Sequence, residues 1–261
     1  MCLAAFALTC HPRYPWVLAA NRDEFHARPS APLGWWVDTP LLGGRDLQAG
    51  GSWLALHRSG RLALVTNVRE PQVAPPPAAR SRGELVLEAL QRPAQALDEL
   101  RQVPRAGFNL LWADLPAGQA HWLSNRAEGG ALAPGLHGLS NAALNTPWPK
   151  LQRLRGQLEQ ALQTEPEPAR LLEALLAALA DRQPAPDAEL SDTGVGRLRE
   201  RQLSSAFVHI AGPDGQGVYG TRCSTVVLAE RTAAGLRLWV HERRFGAHAQ
   251  VEGDTALDFV L

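Results

Sequence analysis

The chain has 261 residues, 45% of them hydrophobic, and 26 basic side chains stand against 26 acidic ones. That length and apolar content suffice for one large core, and a single domain over residues 1–261 is expected because no linker interrupts the pattern. Balanced charge without a basic stripe excludes the footprint of a nucleic-acid partner, and three cysteines, Cys2, Cys10 and Cys223, exclude a disulfide framework and fit a reducing compartment.

The apolar start, Met1 to Cys10, lacks a basic leader and reads as a strand rather than a signal peptide. Cys2, Ala4, Phe6, Leu8 and Cys10 share one face and Leu3, Ala5, Ala7 and Thr9 the other, as in a strand buried on both sides. The turn His11-Pro12-Arg13-Tyr14-Pro15 leads to a second strand from Trp16 to Glu24. A hairpin centred near residue 13 sets Cys2 opposite Asp23 or Glu24. Gly43-Gly44, Gly50-Gly51 and Ser59-Gly60 read as turns, with strands at Ser52–His57 and Arg61–Asn67. After the proline-rich stretch from Pro71 to Pro77, Ser81-Arg82-Gly83-Glu84 opens a helix with a capping-type start. A second helix is expected at Pro93–Gln102, then strands at Asn109–Asp114 and His121–Ser124, and a loop from Gly138 to Pro149. Helices follow at Lys150–Gln163 and Pro168–Asp181, then strands at Ser205–Ala211, Thr221–Glu230 and Leu236–Glu242. The longest helical apolar run, Leu171 to Ala180, is too short to span a bilayer, so no membrane span and a cytoplasmic location are expected. Strands in hairpins and helices in pairs point to an α+β fold of mainly antiparallel sheets with helices packed outside.

Cys2 carries the chemistry. Removal of Met1 would leave a thiol and a free α-amine on one residue. An α-amine titrates near ~7.7–8.0, so it can serve as that thiol's general base at neutral pH. Asp23, at the end of an apolar strand, is placed to orient such an amine; Asn21 shares its face, while Arg22 and Glu24 point the other way. Asn67 and Asn141 are candidate donors to a developing oxyanion, a role worth roughly 3 kcal/mol. Arg222 is a candidate anion contact, and Asn21 and Arg22 complete the expected substrate-binding set. The eight histidines have no metal-ligand spacing, so no metal is assigned, and no phosphate-binding or dinucleotide motif is present.

Asn21-Arg22-Asp23-Glu24 spells N-R-D-E, and the chain resembles the NRDE family, also called the transport and Golgi organisation family. The likeness runs through Ala19-Ala20-Asn21-Arg22-Asp23-Glu24-Phe25 with Arg28-Pro29, and through Gly43-Gly44-Arg45-Asp46-Leu47 with Gly50-Gly51-Ser52-Trp53. Thr66-Asn67-Val68-Arg69, Ser81-Arg82-Gly83, Gly138-Leu139-Ser140-Asn141, Thr146-Pro147-Trp148-Pro149-Lys150 and Tyr219-Gly220-Thr221-Arg222 complete it. The resemblance implies an N-terminal-nucleophile (Ntn) hydrolase fold, a four-layer αββα sandwich distantly similar to choloylglycine hydrolase and penicillin V acylase. It also implies catalytic roles for Cys2, Asp23, Asn67 and Asn141. That group has an arginine three positions before the aspartate, where this chain has Ala20. Two functions follow as expectations. One is a cysteine amidohydrolase acting on a non-peptide C–N bond, with a small-molecule amide or thioester ligand and no cofactor. The other is a non-enzymatic binding or trafficking protein for haem, acyl-CoA or a lipid.

Overall fold

The structure, a computed structural model, describes residues 2–212 and 217–261. In chain order the strands are β1 (Cys2–Leu8), β2 (Trp16–Phe25), β3 (Ser30–Trp35), β4 (Leu41–Asp46), β5 (Leu54–His57) and β6 (Arg61–Asn67). Helix α1 (Arg82–Leu90) precedes β7 (Phe108–Asp114), β8 (Gln119–Ser124), β9 (Gly130–Ala131) and β10 (Gly135–Leu139). Helices α2 (Pro149–Thr164), α3 (Pro168–Leu179) and α4 (Arg197–Gln202) lead to β11 (His209–Ala211), β12 (Val218–Thr232), β13 (Gly235–Phe245) and β14 (Val251–Val260).

The strands form two sheets in which every described pairing is antiparallel. One sheet runs β10-β1-β2-β12-β13-β14, with β11 added to β12; the other is the meander from β3 to β9. The alternation of β1 decides the layering. Ala4, Phe6 and Leu8 face the second sheet and pack with Leu42, Leu56, Leu64 and Leu111. Leu3, Ala5 and Ala7 face outward against Leu151, Leu154 and Leu158 of α2 and Leu171 and Leu175 of α3. On the far side, Ala55, Ala63 and Val65 lie under Leu85, Val86 and Ala89 of α1. The result is the four-layer αββα sandwich of antiparallel sheets that the resemblance implied.

Several local expectations are corrected. The first hairpin pairs Cys2 with Arg22, not with Asp23 or Glu24. Its turn is centred nearer residue 12, because Thr9 N–H bonds the Pro15 carbonyl at 2.8 Å while His11 Nδ1 accepts from the amides of Arg13 and Tyr14. Gly43 and Gly44 are strand residues of β4 rather than a turn. They are small for packing reasons: a Cβ on Gly44 would lie 2.1 Å from the Trp53 ring. The expected helix at Pro93–Gln102 is instead two short 3₁₀ turns, Ala94–Ala96 and Asp98–Gln102. The expected loop from Gly138 overlaps β10, which pairs with β1. Cys10 lies beyond the end of β1 and is exposed.

Candidate active site around Cys2

Strand β1, paired on both sides by β10 and β2, begins at Cys2. A cavity of ≈300 Å³ opens there, lined by Cys2, Arg22, Asp23, Asn67, Trp53 and Arg82 among others. Because Cys2 and Arg22 are opposite in the ladder, both side chains stand on the face turned toward the second sheet. Arg22 is 5% exposed, lies 4.3 Å over the Trp53 ring, and donates to Ser30 Oγ at 3.1 Å.

Asp23 points the opposite way from Arg22 and follows the pairing partner of Cys2, and both Asp23 and Cys2 line the cavity. Asp23 is buried and accepts from Thr221 Oγ1 at 2.8 Å. Burial pushes its carboxyl above the ordinary range, against the pull of nearby positive charge that includes Lys150. Lys150, the chain's one lysine, is buried and donates to the Leu203 carbonyl at 2.9 Å. Burial lowers its ammonium to about 8. Behind it, Arg69 pairs with buried Glu200 at 2.7 Å and stacks on Trp148 at 4.9 Å.

The two asparagines meet through the backbone. Asn141 Nδ2 donates to the Asn67 carbonyl at 2.9 Å, and neighbouring Ser140 Oγ donates to the Cys2 carbonyl at 3.3 Å. Asn67 ends β6 and lines the cavity; Asn141 is buried beside it and is absent from the lining. Asn21 and Arg222, expected to touch a ligand, stand apart from the cavity. Asn21 Nδ2 donates to the carbonyls of Leu179 and Ala206, each at 2.9 Å, pinning α3 to β2. Arg222 sits at a bulge in β12, and its Nη1 donates to the carbonyls of Phe25, His26 and Arg28. Its guanidinium holds the turn after β2.

Cys2 is 8% exposed, and burial raises its thiol above its ordinary value. Cys223 is raised further, by burial and by Glu242. Among the described residues, no group of three or more His, Cys, Asp or Glu side chains is arranged to hold a metal, and no helix is long and apolar enough to cross a membrane. Sequence reasoning gave no role to Thr221, Ser140, Lys150, Arg69 or Arg82. All five lie inside the motif blocks, so position in a block was the available signal.

A family model described as Transport and Golgi organisation 2 matches residues 1–247. The chain is 36% identical over 251 residues to the Transport and Golgi organization protein 2 homolog of Bos taurus, covering 88% of this chain and 89% of that one. To the homolog of Homo sapiens it is 34% identical over 252 residues, with the same coverage. Among solved structures, a Caenorhabditis elegans ortholog of N-acylethanolamine-hydrolyzing acid amidase aligns with a TM-score of 0.45 at 12% identity, covering 87% of this chain and 92% of that one. A mutant conjugated bile acid hydrolase from Clostridium perfringens aligns with a TM-score of 0.42 at 8% identity, covering 100% and 97%. The chain belongs to the Transport and Golgi organisation 2 family.

Proposed function

We propose that the chain, once Met1 is removed, is a cysteine N-terminal-nucleophile amidohydrolase acting on a small-molecule, non-peptide amide. The observation that carries this reading is Cys2 at the start of an interior strand, paired on both sides, opening on a cavity shared with Asp23 and Asn67. In the proposed reaction the freed α-amine takes the thiol proton and sulfur bonds to the amide carbon, giving a tetrahedral oxyanion. Collapse breaks the C–N bond, the ammonium returns its proton to the leaving amine, and water hydrolyses the thioester to release the acid. Asp23 orients the ammonium; the side-chain amide of Asn67, which lines the cavity, is the proposed oxyanion donor, and Asn141 positions it through its bond to the Asn67 carbonyl.

The test is intact-mass analysis of the purified protein followed by a screen of acyl amides with a chromogenic amine. Hydrolysis is expected only from the fraction lacking Met1, and Cys2→Ala should abolish it. Removing an oxyanion donor with Asn67→Ala should cut kcat by about 10²-fold. Activity that survives Cys2→Ala, or that does not require Met1 removal, would remove the nucleophile.

A second reading, a binding protein that uses the same cavity, is favoured by the buried, upward-shifted Cys2 thiol. It predicts that Met1 stays and that the family's cellular function survives Cys2→Ala.

A further inference from the structure

The cavity beside Cys2 is lined by four arginines, Arg22, Arg28, Arg80 and Arg82. Two are already matched by carboxylates. Arg28 Nε lies 2.7 Å from Asp46 Oδ2, and Arg80 Nη2 pairs with Glu84 at 2.5 Å and with Glu88 at 2.8 Å. Arg22 is only loosely matched, its Nη2 being 3.9 Å from Asp46 Oδ2. Arg82 is different. Its Nη1 donates to the Gly107 carbonyl at 3.1 Å, and it enters no ion pair among the described residues. Burial disfavours its charge, while Cys2, Glu24 and Glu70 act only through space. A partly buried guanidinium without a partner anion costs free energy that a bound anion would recover.

The backbone holds Arg82 there. It is the first residue of α1, whose positive end faces the same cavity. The start of α1 rests on the loop before β5 through a glycine contact: Ser52 N–H bonds the Gly83 carbonyl at 3.1 Å, and a Cβ on Gly51 would lie 2.3 Å from the Gly83 carbonyl carbon. That close approach ties Arg82 to the segment bearing Trp53, on which Arg22 stacks.

We propose that Arg82, with Arg22, binds an anionic oxygen group, a carboxylate or a phosphate ester, on the compound whose carbonyl meets Cys2. The meeting with Cys2 rests on the hydrolase reading; the anion contact does not. The ligand is thus an amide or thioester with a negatively charged arm, and the planar guanidinium gives two parallel N–H bonds to that arm.

The test is thermal unfolding of the full chain titrated with inorganic phosphate or with succinate, each against sodium chloride at matched ionic strength. At least one of the two should raise the wild-type midpoint saturably above the chloride control, and which one does so identifies the anion class. Arg82→Gln should need roughly tenfold more anion for the same shift. Arg82→Lys, which keeps the charge without the fork, should fall between. Arg170→Gln, at an exposed site on α3, should match wild type. An unaltered response in Arg82→Gln, or neither anion exceeding chloride, would overturn the proposal. If Arg82→Gln fails to fold by circular dichroism, Arg82→Lys decides by the same criterion. Cys2→Ala should keep the anion response, so loss of the hydrolase reading and loss of this one are separable.

Discussion

Thr221 Oγ1 stands between two buried groups, donating to Asp23 at 2.8 Å and accepting from Val208 N–H at 2.9 Å. Thr221→Val keeps the shape and removes both bonds, so it should cost about 1–3 kcal/mol and push the Asp23 carboxyl further up. Urea unfolding at neutral pH, with Ser224→Ala as a comparison buried hydroxyl, measures the cost; no loss would mean that water replaces both bonds. The thiols give a second expectation. In the Met1-bearing chain, exposed Cys10 should be alkylated by iodoacetamide before buried Cys2 and Cys223. After Met1 removal, Cys2 should gain roughly tenfold over Cys223, because an adjacent amine can then take its proton. Peptide-resolved labelling of both forms checks this, and an unchanged ratio would count against activation by the amine. Cys2 and Asp23 were legible because chain position and strand polarity mark them. Arg22 was half legible: alternation put it on the face away from Asp23, but its side of Cys2 depended on a register set by turn hydrogen bonds that no residue pattern encodes.

At the scale of elements, glycine contacts join the parts that frame the cavity. Gly51→Ala forces a Cβ against the Gly83 backbone and should displace the start of α1, costing about 1–3 kcal/mol. The same variant should weaken the anion response of the cavity more than its stability loss accounts for, since Arg82 moves with the helix. A variant that unfolds at the wild-type urea midpoint would show that the contact gives way easily. Strand β6 was read with its observed ends because Arg61–Asn67 alternates between a polar start and a polar finish around buried Leu62 to Thr66. Strand β14 was missed. It is an edge strand carrying Glu252, Gly253, Asp254 and Asp258, and only one face meets apolar neighbours, through Leu257 and Phe259. The segment Pro93–Gln102 misled for a different reason: its buried residues, Leu97 and Leu100, are three apart and fit a 3₁₀ turn as well as a helix.

Over the whole molecule, the layer order was legible from the double-sided burial of β1, and the convergence of distant segments was not. Lys150 of α2, Thr221 of β12 and Arg69 after β6 all act on Asp23 of β2, Thr221 by a hydrogen bond and the two cations through space, only because both sheets and a helix stack. Lys150 also links the fold to pH. Its folded ammonium titrates at about 8 against an ordinary 10.5. Below pH 8 both folded and unfolded chains hold the proton, and the burial cost is fully present. Between about 8 and 10.5 the unfolded chain binds more protons than the folded one, so this residue's contribution rises with pH. Wild-type stability minus that of Lys150→Met should therefore climb across that window and level off above it. Urea midpoints at several pH values measure the difference, and a flat difference would place the ammonium's titration elsewhere. The same burial bears on how the chain meets the chemistry of its surroundings. With every other basic position an arginine or histidine, the folded surface presents no lysine to acetyl transferases, ubiquitin ligases or succinimidyl esters. Modification at Lys150 would then report unfolding, and the adduct would mark the molecules that had opened.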